Sequence, residues 1–367
     1  AKAASPMISV RVLIPLKDTF PMFFYYVEIA ILHPMRRAAA LLALAGTVGA
    51  CRTPLKKPLP GPFSFPMTDA AAAVRVLEGS QAEYLAGPDA WMYWQAVAQY
   101  RSVAGNRVGA LEAWDRAMPP AKDKETPSLD GSGPEPADAV VLREAERRQA
   151  VFLNEAHHDA RHRDFTRSLL AGLRASGYRY FAAEAFGPDA AEKAAAGEPP
   201  AAWGGYLSEP AFAALALEAQ RLGFELVSYE DEGGPCSDPP EDPQFCANRR
   251  DRAMAENLKA RVFDKDPRAK LVVHAGFDHV RKDGRGAWKT MAGEFRRLTG
   301  IDPLVVDQVG LSSRGSEARD PAALRAVVAA FRPEGPVIVS ASDGRGWLLP
   351  GDEAAYDFHV VHPRAAR

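Results

Sequence analysis

The chain has 367 residues, of which 47% are hydrophobic and 25% charged, with a formal net charge of −2. That length is enough to bury one large core with a small additional unit. Lys and Arg are interspersed with Asp and Glu, and so even a balance offers no electrostatic footprint for DNA or RNA.

From the N-terminus, Met35-Arg36-Arg37 precedes the apolar run Ala38 to Ala50, and Cys51 follows. A basic start, a short apolar stretch and small residues before a cleavage point form the secretory pattern. Val48-Gly49-Ala50-Cys51 resembles a bacterial lipobox, which implies a lipid anchor on Cys51 and a place in the cell envelope. Arg52, where Asp would retain the protein in the inner membrane, implies the outer membrane. The alternative is a buried helix ending in a free cysteine. Residues 1–34 then read as an upstream extension, and 52–67, rich in Pro and basic residues, as a tether.

Residues 68–118 are expected to form a helical hairpin that turns at Gly105-Asn106. Trp94, Ala98, Gly105, Ala110, Trp114 and Ala117 come close to a single tetratricopeptide unit, but no second copy follows. A helical pair packed on the main domain is the simpler reading, with a protein partner as a further role. Residues 119–140 have the composition of a flexible linker.

The remaining segment, 141–367, alternates strands with helices. Strands are expected at 150–154, 178–184, 224–230, 270–274, 303–308 and 336–340, and helices near 161–175, 209–222, 249–263, 286–299 and 320–331. Gly177, Gly223 and Gly300 stand where C-caps belong. Short apolar strands between helices predict an α/β fold with a mostly parallel sheet covered on both faces. Ligands then bind at the carboxyl ends of the strands.

Those ends gather acid and imidazole: Glu155 and His157, Glu184, Glu230 with Asp231, His274 with His279, Asp307, and Asp343 beyond the sixth strand. Seven of the eight histidines fall in three clusters near strand ends, His157, His158 and His162, then His274 and His279, then His359 and His362. Each residue has a bland reading as a cap or a buried hydrogen-bonding group. Together on one edge they point to a built site. If His359 and His362 lie on a late edge strand, their spacing of three puts their side chains on opposite faces, so at most one is expected to reach the site. No phosphate loop, dinucleotide fingerprint, GxSxG elbow or HExxH is present.

Two blocks carry a resemblance. VFLNEAHHDARHRDFTRSLLAGLRASGYRYFAAEAF and RDRAMAENLKARVFDKDPRAKLVVHAGFDHV are similar to the superfamily of Tiki proteases, erythromycin esterases and ChaN-like lipoproteins associated with haem uptake. The resemblance marks Glu155, His157, Glu184, Arg250 and His279 as site residues, and His162, with His158 beside it, as a feature of the haem-binding branch. Asn154 stands where the family has Gly. Asn tolerates left-handed backbone angles, so the turn is expected to survive, with room for a site that binds without turnover.

Two mechanisms fit. A divalent transition metal held by His157, His279, Glu155 and Glu184 would activate water. Alternatively, as the resemblance to the esterase branch implies, one histidine acts as general base, a glutamate fixes its tautomer, and a second histidine or Arg250 steadies the oxyanion. The expected function is hydrolysis of an ester or amide in a small-molecule or peptide substrate; the alternative is a haem- or iron-binding surface lipoprotein. Cys236 and Cys246, which flank a Pro-rich loop, are expected to pair as a disulfide, with a two-cysteine metal site as the alternative.

Overall fold

The computed structural model describes residues 59–118, 125–234, 236–239 and 241–364, together with the backbone of 9–11 and 28–30. The signal segment, Cys51 and residues 52–58 of the tether lie outside the described residues. Among the described residues no helix is long and apolar enough to cross a membrane.

The chain divides into two compact units, Ala1–Pro60 with Gly234–Cys246, and Gly61–Gly233 with Ala247–Arg367. In the first, β1 (Ser9–Arg11) and β2 (Glu28–Ala30) pair antiparallel, and Cys236 is disulfide-bonded to Cys246 with their Cα atoms 5.8 Å apart.

The second opens with four helices, α1 (Ala70–Gly79), α2 (Gln81–Ala86), α3 (Ala90–Val103) and α4 (Arg107–Ala117). α3 and α4 form the hairpin about Gly105-Asn106, and the Asn106 side chain caps α4 by accepting from Gly109 N–H (2.9 Å). After them come β3 (Ser132–Pro136), α5 (Ala137–Ala145), β4 (Ala150–Glu155), α6 (Ala160–Ala175), β5 (Tyr180–Ala183), α7 (Ala190–Ala195), α8 (Pro200–Trp203), α9 (Pro210–Arg221) and β6 (Glu225–Val227). The chain ends through α10 (Phe245–Leu258), which runs on into a π-turn over Lys259–Phe263, then β7 (Leu271–Gly276), α11 (Met291–Thr299), β8 (Leu304–Asp307), α12 (Ala322–Phe331), β9 (Val337–Ala341) and β10 (Phe358–Val361).

Eight strands form one sheet in the order β3-β9-β10-β8-β4-β7-β5-β6. From β10 to β6 every pairing is parallel, while β9 runs antiparallel to both β10 and β3. The α/β architecture is as the sequence predicts. Alternation along β4 assigns the two core layers: Val151 and Leu153 pack beneath α5, α6 and α9, while Ala150 and Phe152 pack beneath α10 and α11. A strand buried on both faces needs apolar residues at nearly every position, as the AVFL run supplies. Gly177, Gly223 and Gly300 have φ of 90°, 75° and 72°, the left-handed C-cap conformation that spares a side chain its clash.

Three expectations change. Part of the presumed linker is β3, an edge strand whose Pro134 and Pro136 face Val339 and Val337 across the pairing; prolines are tolerated there because an edge leaves N–H groups unpaired. β10 is internal rather than an edge strand. Asn154 lies in regular pairing opposite Ala275 of β7, not in a left-handed turn.

Candidate functional site

The carboxyl ends of β4, β5, β6 and β7 meet at one edge of the sheet, and Glu155 lies beneath it, 2% exposed. His157 Nδ1 (2.9 Å) and Arg163 Nη2 (2.9 Å) reach its Oε1, and Arg163 Nε (2.5 Å) and His274 Nε2 (3.0 Å) reach its Oε2. Burial raises the pKa of this carboxyl, but the Arg163 charge and the two histidine hydrogen bonds outweigh burial and hold it well below the ordinary range. An ionised carboxylate only accepts, so His157 carries its proton on Nδ1 and presents Nε2 as a base. His274 is held in the same way: it donates from Nε2 and accepts from Thr166 Oγ1 at Nδ1 (3.2 Å).

The free edge of His157 faces Glu184 across Gly276. A Cβ on Gly276 would lie 2.5 Å from His157 Cε1, 2.9 Å from its Nε2 and 2.9 Å from Glu184 Oε2. Glu184 accepts from Arg250 Nη2 (2.7 Å) and from Gly276 N–H (2.6 Å). Burial pushes its pKa up, yet Arg250, His157, His279 and the Gly276 N–H bring it down to about 2. Arg250 also holds Glu230 through Nε and Nη2 (3.1 and 2.8 Å) and donates from Nη1 to His279 Nε2 (3.2 Å). Glu230 is pushed above the usual range by burial and by the charge of Glu184, against the pull of Arg250.

His279 is oriented as His157 is, by a buried carboxylate at Nδ1: Asp251 Oδ1 at 2.7 Å. Asp251 is fixed in turn by Trp288 Nε1 (3.0 Å) and Met291 N–H (2.6 Å). The arrangement is two histidine–carboxylate dyads joined through Arg250 and Glu184.

A cleft of about 420 Å³ opens beside them, with Glu184, Tyr206, Ser228, Glu230, Asp231 and Glu232 among its walls. The Tyr206 ring lies 5.2 Å from that of His157, and Phe277 packs edge-on to His157 at 5.1 Å. Phe277 has φ of 47°, a left-handed conformation costly for a bulky residue. The helical hairpin reaches this wall. Trp114 of α4 stacks on His158 (4.0 Å) and on Phe277 (6.0 Å), and Gln99 of α3 donates to Tyr206 Oη (2.6 Å).

The other strand-end residues build a separate buried network. Asn154 donates to Asp307 (2.6 Å) and to Phe277 O (3.1 Å), and accepts from Gln308 N–H (2.6 Å). Asp307 holds His359 Nδ1 at 2.7 Å, and His359 Nε2 lies 3.5 Å from Asp352. Burial opposes the charge on His359, but the two aspartates outweigh it and raise the pKa from 6.5 to about 9. Because this folded value lies above the unfolded one, the contribution to stability is complete below pH 6.5 and is lost as pH rises through 9. Chemical denaturation of the wild type across that interval should show a fall of roughly 3 kcal/mol, and His359→Gln should flatten it. An unchanged pH slope in the variant would separate the effect from His359.

Of the sequence-marked residues, Glu155, His157, Glu184, Arg250 and His279 are brought together at one edge. Asp343 is not, because β9 runs antiparallel; its carboxylate is exposed and pairs with Arg345. His162 is 1% exposed with both ring nitrogens engaged, Nδ1 by Ala156 N–H (2.9 Å) and Nε2 by Ser312 Oγ (2.8 Å), so it does not fit a haem ligand. His158 is buried against Trp114, and His359 and His362 are both buried in β10 and just after it. Nor do the donors fit the metal site: Glu155 has both oxygens committed, and among the described residues no group of three or more His, Cys, Asp or Glu is placed to hold an ion. Arg163, Asp251, Tyr206 and Gln99 are site residues that sequence reasoning missed. For Asp251 a signal existed, its place beside Arg250 in the RDRAMA block.

No family model matches the sequence, and no curated protein does. Solved structures similar to the chain include the type III effector HopBA1, 16% identical with a TM-score of 0.36, covering 53% of this chain and 96% of that one. Another is the haem-binding ChaN of Campylobacter jejuni, 12% identical with a TM-score of 0.37, over 61% and 91%. A third is RRSP, a MARTX toxin effector domain from Vibrio vulnificus CMCP6, 18% identical with a TM-score of 0.34, over 65% and 46%. Likenesses of this size carry no weight for the chemistry of this chain, which rests on its own residues.

Proposed function

We propose that this protein is an exported, lipid-anchored hydrolase that cleaves an ester or amide bond with His157 as general base. The observation that carries the reading is the His157 dyad: an ionised, buried Glu155 fixes the imidazole with Nε2 turned toward Glu184 across a glycine that leaves room for both. A base held in one tautomer by a buried carboxylate is the arrangement general-base catalysis needs. His157 takes a proton from water as the water oxygen attacks the substrate carbonyl, and returns it to the leaving group. His279, oriented by Asp251 and joined to Arg250, holds the second side of the site. Export and anchoring enter through the Met35–Cys51 segment, and the Tiki and erythromycin esterase resemblance supports the same reaction class.

The haem-binding alternative has less support, since His162 is spent inside the fold. The test is turnover by the full chain of a panel of p-nitrophenyl esters and fluorogenic peptides. His157→Ala and His279→Ala should each reduce turnover to background while circular dichroism and the thermal midpoint are retained. Wild-type rates in both variants would remove the reading.

A further inference from the structure

Stabilising the oxyanion requires a hydrogen-bond donor that faces the cleft and is not consumed within the protein. Arg250, marked for that role by sequence, is heavily committed: its Nε and Nη2 are taken by Glu184 and Glu230 and its Nη1 by His279. Arg163 is fully buried beneath Glu155. Tyr206 is different. It lines the cleft beside Glu184, and its ring stands 5.2 Å from that of His157.

The phenol's own hydrogen is also free. Gln99 Nε2 lies 2.6 Å from Tyr206 Oη and 3.8 Å from Met67 Sδ. A thioether sulfur only accepts, so the Gln99 atom facing both is the amide nitrogen, and Tyr206 Oη is the acceptor in that bond. Among the described residues no acceptor takes the Tyr206 O–H. A hydroxyl that accepts one hydrogen bond and has its own hydrogen to spare is a polarised donor.

We propose that Tyr206 donates this hydrogen bond to the substrate carbonyl oxygen during hydrolysis, and that the helical hairpin positions it through Gln99. The proposal rests on the hydrolase reading. As the water oxygen bonds to the carbonyl carbon, its proton passes to His157 Nε2 and the carbonyl π pair moves onto oxygen, where Tyr206 O–H meets the negative charge. On collapse the C=O re-forms, the bond to the leaving group breaks, and that group takes the proton from His157. Tyr206 keeps its own proton throughout.

The experiment uses the full chain and the same p-nitrophenyl ester panel, with His157→Ala as background. Tyr206→Phe should lower kcat on the order of 10²–10³-fold, the effect of deleting one oxyanion donor. KM should stay within about threefold, since a donor that acts on developing charge adds little to ground-state binding. A kcat within twofold of wild type, with His157-dependent turnover intact, would overturn the Tyr206 assignment and leave the hydrolase reading standing. Absence of any His157-dependent turnover in the wild type would overturn both. Placing 3,5-difluorotyrosine at position 206 provides an independent readout. Its more acidic phenol should add an alkaline falling limb to the kcat profile that wild type lacks, and a profile without that limb would again overturn the assignment.

Discussion

Replacing Arg163 with Met should lower stability by about 3–5 kcal/mol, a large share of what a domain has to lose. Arg163 is fully buried. Its guanidinium forks onto both oxygens of Glu155, donates to His157 O (2.9 Å), lies 3.1 Å from Glu209 as an ion pair, and sits 4.9 Å over the Phe212 ring. Met fills similar space but strands two carboxylates that are 2% and 1% exposed. The pH dependence identifies the cause. In the wild type the Glu155 pKa is depressed, so its contribution is present above the usual carboxylate value and is lost as pH falls through the folded one. Without the guanidinium, burial dominates and raises it, so the gap between variant and wild type should narrow as the solution is acidified. Glu155→Gln added to Arg163→Met should recover part of the loss, since a neutral amide needs no counter-charge. Urea melts of the four proteins at two pH values give the coupling directly. Additive losses would mean that the pair is not the source.

This cation shows where sequence legibility ended. The strand runs that set the sheet were readable, because a strand buried on both faces cannot hide its apolar run, and the acid and imidazole at the ends of β4, β5 and β7 were readable with it. Arg163 was not: an arginine in an amphipathic helix is ordinarily solvated, and only a carboxylate arriving from β4 makes its burial affordable. The antiparallel sense of β9 is invisible in PVIVS, since an apolar run has no direction, and that alone removed Asp343 from the site. β3 has no apolar alternation at all; it is a strand because β9 offers it a free edge. Asn154 was expected at a turn, yet the structure uses it as a tie between β4, β8 and the loop after β7, bonded to Asp307, Gln308 and Phe277. Tyr206 and Gln99 come from segments with no shared periodicity, and only the tertiary packing of the hairpin brings them within 2.6 Å.

Gly276→Ala should reduce turnover on the order of 10²-fold or more while leaving the fold in place. The backbone does not demand glycine here, with φ of −69° and ψ of 137°, which any residue adopts. The demand is for space, since the new Cβ would lie 2.5 Å from the His157 ring and 2.9 Å from Glu184 Oε2. Neither group can retreat freely. His157 is tied to Glu155 and flanked by Phe277 and Tyr206, and Glu184 is held by Arg250 and by the N–H of Gly276 itself. Relief therefore requires a shift of about 1 Å in the base or its partner, a displacement large enough to cost about 10²-fold in rate. The overpacking itself should cost about 1–3 kcal/mol, partly offset by the stiffer unfolded chain. Gly310→Ala is the matched control: its Cβ would lie 2.7 Å from Asp307 Oδ2 and 3.7 Å from His359 Nδ1, a similar squeeze on the neighbouring network. It should lower the thermal midpoint with kcat nearly unchanged. If Gly276→Ala kept wild-type turnover, His157 and Glu184 could not be acting from the positions that define this site; if both variants lost activity equally, the two networks would be one catalytic unit.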